Sequence, residues 1–185
     1  MYINLLMGYL EFCSNCGFKN QYGFKDGNTR YFCSKCNSIH YENPKPTATL
    51  ICIFKNQLLL VKRAKEPGKG MWGLPGGFIE MEETPEEGAL RELLEETNLK
   101  GKNPKILGTC SHHNTIFGDI LLIGMEVEID NWNNMRAGDD AEEAQLFSIE
   151  DLPEIAFVCH KKIIEMYFIQ KHTESKKKEK PPPPS

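Results

Sequence analysis

The 185-residue chain is marked first by what it lacks. No apolar run approaches the roughly 20 residues of a membrane-spanning helix. The opening MYINLLMGYLEF has neither a basic start nor a small-residue cleavage site, so it does not read as a secretory leader. There is no excess of positive charge: 26 acidic against 22 basic residues give a formal net charge of -4 and no global pull toward nucleic acid or anionic lipid. The seven cysteines are odd in number, and four sit in C-x-x-C pairs, which is not the pattern of a disulfide framework. These absences predict a soluble cytoplasmic protein with no membrane partner. The length predicts one good core with a small appendage.

Residues 12–41 read FCSNCGFKNQYGFKDGNTRYFCSKCNSIHY, with Cys13 and Cys16 separated from Cys33 and Cys36 by a polar, hairpin-like stretch. So short a segment cannot build its own core, and four thiolates on one tetrahedral Zn²⁺ supply the missing folding energy. Four sulfur ligands leave no open position, so the zinc is structural. A redox role for the pairs lacks the strand-helix context it requires. Cys52, Cys110 and Cys159 lie in apolar or mixed segments and read as small buried hydrophobes. Residues 1–10 carry no folding pattern, and Met7 is a second candidate start.

After the proline-marked ENPKP the pattern turns to strands. TATLICIF (47–54) and QLLLVKR (57–63), joined by Lys55 and Asn56, predict a hairpin, with further strands at 119–129 and 144–148. Ile163, Ile164, Tyr167 and Phe168 recur at helical spacing in a helix starting near Val158. Strands with a few helices indicate an α/β layered domain. The expected organisation is a zinc ribbon over 11–43, a larger α/β domain over 46–172 and a disordered Lys/Pro-rich tail over 173–185.

GGFIEMEETPEEGALRELLEETNL (76–99) places eight glutamates in one stretch. Thr84, Pro85 and Glu87 form a helix start: N-cap, proline at the first helical position, capping-box acid. Leu90, Leu93 and Leu94 then share one face, and Glu92, Glu95 and Glu96 the opposite one. Three neighbouring carboxylates repel one another. A hard cation such as Mg²⁺ or Mn²⁺ removes that cost, and Mg²⁺ completes its shell with substrate phosphates. Gly73, Gly76 and Gly77 with Pro75 make a loop that lets backbone approach a ligand.

Gly77, Glu83, Arg91-Glu92-Leu93, Glu95-Glu96 and Leu99, with GMWGLPGG before and GDDAEEAQLFS after, resemble the Nudix box, G-x5-E-x7-R-E-U-x-E-E-x-G-U with U aliphatic. Only the last glycine differs; Asn98 stands there, the next best left-handed residue. The resemblance implies a Nudix α/β/α sandwich with a mixed sheet, hydrolysing a nucleoside diphosphate linked to another moiety with Mg²⁺ or Mn²⁺. It implies Glu92, Glu95 and Glu96 as metal ligands, with the Gly76 carbonyl as an added one. Glu92 doubles as base, Arg91 orients the glutamates, Glu83 supports, and Glu143, with Glu142 as rival, is an outside-box base or ligand. The ribbon and IHYENPKP resemble the subgroup of NADH, ADP-ribose and FAD pyrophosphatases. The subgroup's NADH signature is missing after Leu99, and Asn114 stands where the ADP-ribose hallmark proline would be.

The expected partner is a small nucleotide, of dinucleotide or ADP-sugar type rather than a free triphosphate. The alternatives are a hydrolase of (oxidised) nucleoside triphosphates, and a non-catalytic nucleotide-sensing or nucleic-acid-binding module built on the ribbon aromatics Tyr22, Phe24, Tyr31 and Phe32. The intact box argues against the second. A homodimer is compatible with the sequence and not required by it. Trp72 and Phe78 read as base-stacking or packing, His112 and His113 as phosphate contacts or surface histidines, and Lys62 and Arg63 as phosphate ligands or a solvated strand end.

Overall fold

The computed structural model describes residues 10–178; Met7 and the residues beyond 178 lie outside the described residues. Two compact units divide the chain, Met1–Pro44 and Lys45–Ser185. The first carries a three-stranded antiparallel sheet of β1 (Gln21–Lys25), β2 (Asn28–Phe32) and β3 (Ile39–His40). Its two cysteine turns are built alike. Cys13 N donates to Phe18 O and Cys33 N to Ser38 O, each at 2.8 Å, and the residue after each second cysteine, Gly17 or Asn37, is left-handed at φ 71° or 60°. Glycine and asparagine are the residues that tolerate that region best.

The second unit runs β4 (Lys45–Ile51), β5 (Ile53–Phe54), β6 (Gln57–Arg63), β7 (Trp72–Gly73), β8 (Gly76–Phe78), α1 (Pro85–Thr97), β9 (Gly101–Thr115), β10 (Gly118–Ile129), β11 (Ala141–Ser148) and α2 (Val158–Lys178). One sheet has the order β8-β4-β10-β9 and is mixed, because β4 and β10 are parallel. The other has the order β11-β6-β5, with β7 paired to β6. Leu58 and Leu60 join the apolar cluster of α2, while Leu59 joins that of α1. An uninterrupted leucine run is what a strand buried on both faces requires. The layering is helix, sheets, helix.

The expected hairpin is only partly present. Ile53 and Phe54 pair with β6, but 45–51 leaves for the other sheet, between β8 and β10. Lys55, at φ 55°, makes the tight turn, and Cys52, outside both strands, marks where the chain changes sheet. The tail expectation is corrected too: α2 continues past His172 to Lys178. Its lysine-rich end, with Glu174 before three lysines, extends a helix already nucleated on the core.

Candidate active site and metal centre

Helix α1 begins as its sequence dictates. Thr84 caps Glu87 N, Glu87 returns the bond to Thr84 N, and Asn98 closes the helix at φ 56°. Its buried face is rotated from the expected one. Gly88, Ala89, Leu93, Glu96 and Thr97 are buried, whereas Leu94 is 43% exposed and Glu96 only 7%. One of the three carboxylates therefore sits inside the protein.

Gly76 and Gly77 of β8 explain how the helix comes so close. Gly76 has φ 139°, and a Cβ there would run into the Ala48 carbonyl; a Cβ at Gly77 would collide with the Glu92 carboxylate. Gly76 N donates to Glu96 Oε2 at 2.9 Å. Burial pushes the Glu96 carboxyl up to about 8 despite that bond, with the Glu92 charge adding to the rise. Burial also raises Glu92, against the pull of Arg91. Two desolvated acids side by side are costly as a pair of anions.

Arg91 organises the rest. Its Nε and Nη2 donate to the two oxygens of Glu83 at 2.6 and 2.9 Å, its Nη2 also to Phe78 O at 2.9 Å, and its Nη1 to Glu92 and Glu95 at 2.8 and 2.9 Å. The Arg91 bond, with the Glu80 amide, holds Glu83 down at about 2. One guanidinium thus joins the helix to the glycine loop and to the turn before it, a fork geometry that lysine cannot reproduce.

A cleft of about 280 Å³ opens over this point. Glu92, Glu96, Gly76 and Gly77 line it, and so do Asp139 and Asp140. Those aspartates arrive because the loop before β11 closes the end of α1: Arg136 N donates to Thr97 O and Gly138 N to Glu96 O. Reading the sequence by residue type had not singled them out; the double aspartate of GDDAEEA was the available sign. Arg63 is the one lysine or arginine on the cleft wall among the described residues. Its Nε is tethered to Pro67 O at 2.7 Å, and its guanidinium lies 5.1 Å from the centre of the Phe157 ring.

Other candidates fall elsewhere. Glu95 lies outside the cleft lining, on Arg91. Glu143 is half exposed and bonded to Lys62 Nζ at 2.7 Å, which also takes Lys62 off the cleft. Trp72 packs edge-on against Phe147, while Phe78 lines the cleft. His112 lines the cleft, and His113 pairs with Asp119 at 2.8 Å. His160, half-buried on the cleft wall at the start of α2, accepts from Leu74 N at 3.0 Å and is held down at about 3 by desolvation, so it is a neutral structural ring. Of the remaining cysteines, Cys52 and Cys110 are buried in the core clusters, and Cys159 adds to the cleft wall.

The residues fit an oxygen-preferring cation on the donor set alone: the buried Glu96, the half-buried Glu92, two aspartates and the glycine loop within one cleft. The cysteines form the tighter cluster. All four Sγ atoms lie within 4.8 Å of one another, with Cys13 to Cys36 at 3.6 Å and Cys16 to Cys33 at 3.5 Å. A tetrahedron with Zn–S bonds of about 2.3 Å has edges of about 3.8 Å, so the set is close to the size zinc requires.

Comparison with known proteins agrees with this arrangement. The NUDIX domain model matches residues 44–167, and the Nudix N-terminal zinc-ribbon model matches residues 11–42. An ADP-ribose pyrophosphatase of Methanocaldococcus jannaschii is 42% identical over 113 residues, 60% of this chain and 66% of its own. The NAD-capped RNA hydrolase NudC of Vibrio parahaemolyticus is 27% identical over 148 residues, 80% of this chain and 54% of its own. The chain thus spans between about half and two thirds of these curated relatives. The crystal structure of a NUDIX hydrolase from Nitrosomonas europaea superposes with a TM-score of 0.74 at 32% identity, covering 89% of this chain and 93% of that one. With a matching domain, a matching ribbon and every acidic position of the box in place, this chain belongs to the Nudix family.

Proposed function

We propose that the protein is a metal-dependent pyrophosphohydrolase that cleaves a nucleoside diphosphate linked to a second moiety, of the ADP-ribose, FAD, NADH or ADP-sugar type. The observation that carries the reading is the buried Glu96 with the half-buried Glu92 beside it in the cleft under the glycine loop, with Arg91 fixing the helix against that loop. A carboxylate buried beside a second, partly desolvated acid is a poor structural device, and a cation offsets its cost. Glu92, Glu96 and the Gly76 carbonyl would hold Mg²⁺ or Mn²⁺, while Glu95, on Arg91, and Glu143, on Lys62, would join them only by leaving those partners. When bound, the metal neutralises pyrophosphate oxygens and acidifies water.

The chain's own residues do the rest. Glu92, whose carboxylate is raised by burial, accepts the proton of the attacking water. Arg63, tethered and stacked on the cleft wall, takes a phosphate oxygen. Water adds across the P–O–P bridge, giving a nucleoside monophosphate and a phosphorylated second product. The 42% identical ADP-ribose pyrophosphatase supports this substrate class. Seven free cysteines, four of them gathered for a metal, suit a reducing compartment, and cytoplasmic location is part of the proposal.

The test is product analysis with Mg²⁺ or Mn²⁺ across ADP-ribose, FAD, NADH, ADP-glucose and dATP. Monophosphate release from the linked diphosphates is expected; turnover confined to dATP overturns the substrate class in favour of a triphosphate hydrolase.

A second reading rests on the ribbon. Tyr22 and Phe24 are 64% and 76% exposed on one face of β1, with Tyr31 4.8 Å from Tyr22 across the hairpin. Such faces suit single-stranded nucleic acid. Salt-dependent binding of a short RNA that persists in Glu96→Gln supports it, and loss of none of that binding in Tyr22→Ala removes it.

A further inference from the structure

Thr47 and Thr49 are buried, on the face of β4 that Ile51 shares, and Ile51 packs into the α2 cluster with Leu122 and Cys110. A strand face entering a core is expected to be apolar. Here it turns polar at Thr49 and Thr47, and both residues line the cleft. This part of the sheet floors the cleft: Thr47 and Thr49 on β4, Ile120 on β10 and His112 on β9. Ile120 and His112 are cross-strand partners, as are Thr47 and Phe78.

Two further facts point to a ligand. The Thr47 hydroxyl is buried and has no hydrogen-bond partner, in a residue only 9% exposed. A buried hydroxyl without a partner is disfavoured unless something else supplies one. Phe78, beside Thr47, meets Phe117 edge-on at 5.4 Å, and Phe117, close to the turn between β9 and β10, stays 42% exposed. Both rings line the cleft, and neither is spent on the core clusters.

We infer that this floor is the subsite for the nucleobase of the substrate, a flat heteroaromatic ring packed against Phe78 and Phe117 and hydrogen-bonded by Thr47. The cleft is then polarised, with pyrophosphate at the Glu92, Glu96 and Arg63 end and the uncharged ring on the sheet floor. Thr47 is a specificity-determining residue with no part in the chemistry. The inference rests on the nucleotide reading of this cleft and adds to it which group is read, and by what.

The experiment is calorimetric binding of AMP, GMP, CMP, UMP and ribose 5-phosphate to the full-length chain with Mg²⁺, in the parent and in Thr47→Val, Thr47→Ser and Phe117→Ala. The base bonded by Thr47 should lose about fivefold in affinity in Thr47→Val, the size of one neutral hydrogen bond. Thr47→Ser should restore it, and ribose 5-phosphate should bind equally to all. Phe117→Ala should weaken every nucleotide and leave ribose 5-phosphate unchanged. Thr47→Val removes an unpaired buried hydroxyl at constant shape, so its melting temperature should not fall. Equal loss for all ligands, or none for any, overturns the subsite. Base-dependent loss without any hydrolysis keeps the subsite and sinks the pyrophosphohydrolase; hydrolysis with no base dependence does the reverse.

Discussion

At the residue scale the site is governed by one guanidinium and by buried groups held away from their ordinary ionisation. Arg91 makes five hydrogen bonds to four residues, and among the described residues no other side chain bridges α1 to both the glycine loop and Glu83. Lysine keeps the charge and loses the fork, so Arg91→Lys should fold, while its turnover should drop about a hundredfold from misplaced carboxylates. Unchanged turnover in steady-state kinetics contradicts that role. His160 gives a pH signature of another kind. Its ring has a folded value of about 3 against the ordinary 6.5, so the unfolded chain takes up the proton between those limits. Stability from this group is therefore complete above about 6.5 and is lost as pH falls toward 3, by up to about 1.4 kcal/mol per pH unit. Denaturant titrations at pH 7 and pH 5 should show a shallower pH dependence in His160→Gln; parallel slopes exclude this account. Fixed-spacing motif positions were legible in the sequence at this scale. The burial of Glu96, the exposure of Leu94 and the arrival of Asp139 and Asp140 were not, because each depends on what packs across from the helix.

At the element scale, local chemistry was readable and long-range pairing was not. Helix α1 starts and stops where Thr84, Pro85 and Asn98 say it must, since caps act within a few residues. The left-handed Asn98 can be tested directly. Asn98→Ala and Asn98→Gly both lose the side-chain bond to Asn134 O, but only alanine pays for φ 56°. Asn98→Ala should be less stable than Asn98→Gly by about 1 kcal/mol in denaturant melts, and equal stabilities contradict the backbone argument. Strand β9 had gone unread. Its sequence, GKNPKILGTCSHHNT, is polar and glycine-bearing, and its pairing with β10 is interrupted by register shifts, so no clean alternation shows. The parallel pairing of β4 with β10 joins segments far apart in sequence, which periodicity within a window does not reveal. The predicted hairpin failed for that reason: β4 found a better partner than β6.

At the scale of the whole molecule the chain carries two donor sets in two units, four sulfurs in Met1–Pro44 and a carboxylate-lined cleft in Lys45–Ser185. The ribbon has few buried side chains other than Cys13 and Cys33, so its folding free energy is mostly metal binding. A strong chelator should release one zinc per chain and abolish the ribbon's amide-exchange protection, while α1 and the mixed sheet stay protected. Persistent protection in the ribbon without zinc contradicts the structural role. The measurement that bears most directly on the central claim is ADP-ribose turnover together with Mg²⁺ or Mn²⁺ binding, in the parent chain and in Glu96→Gln. Hydrolysis to AMP and ribose 5-phosphate is predicted in the parent, falling at least about a hundredfold in the variant alongside weakened metal binding, with the fold intact. A folded Glu96→Gln chain that binds metal and turns over like the parent would show that the buried glutamate of α1 is not the centre of the site.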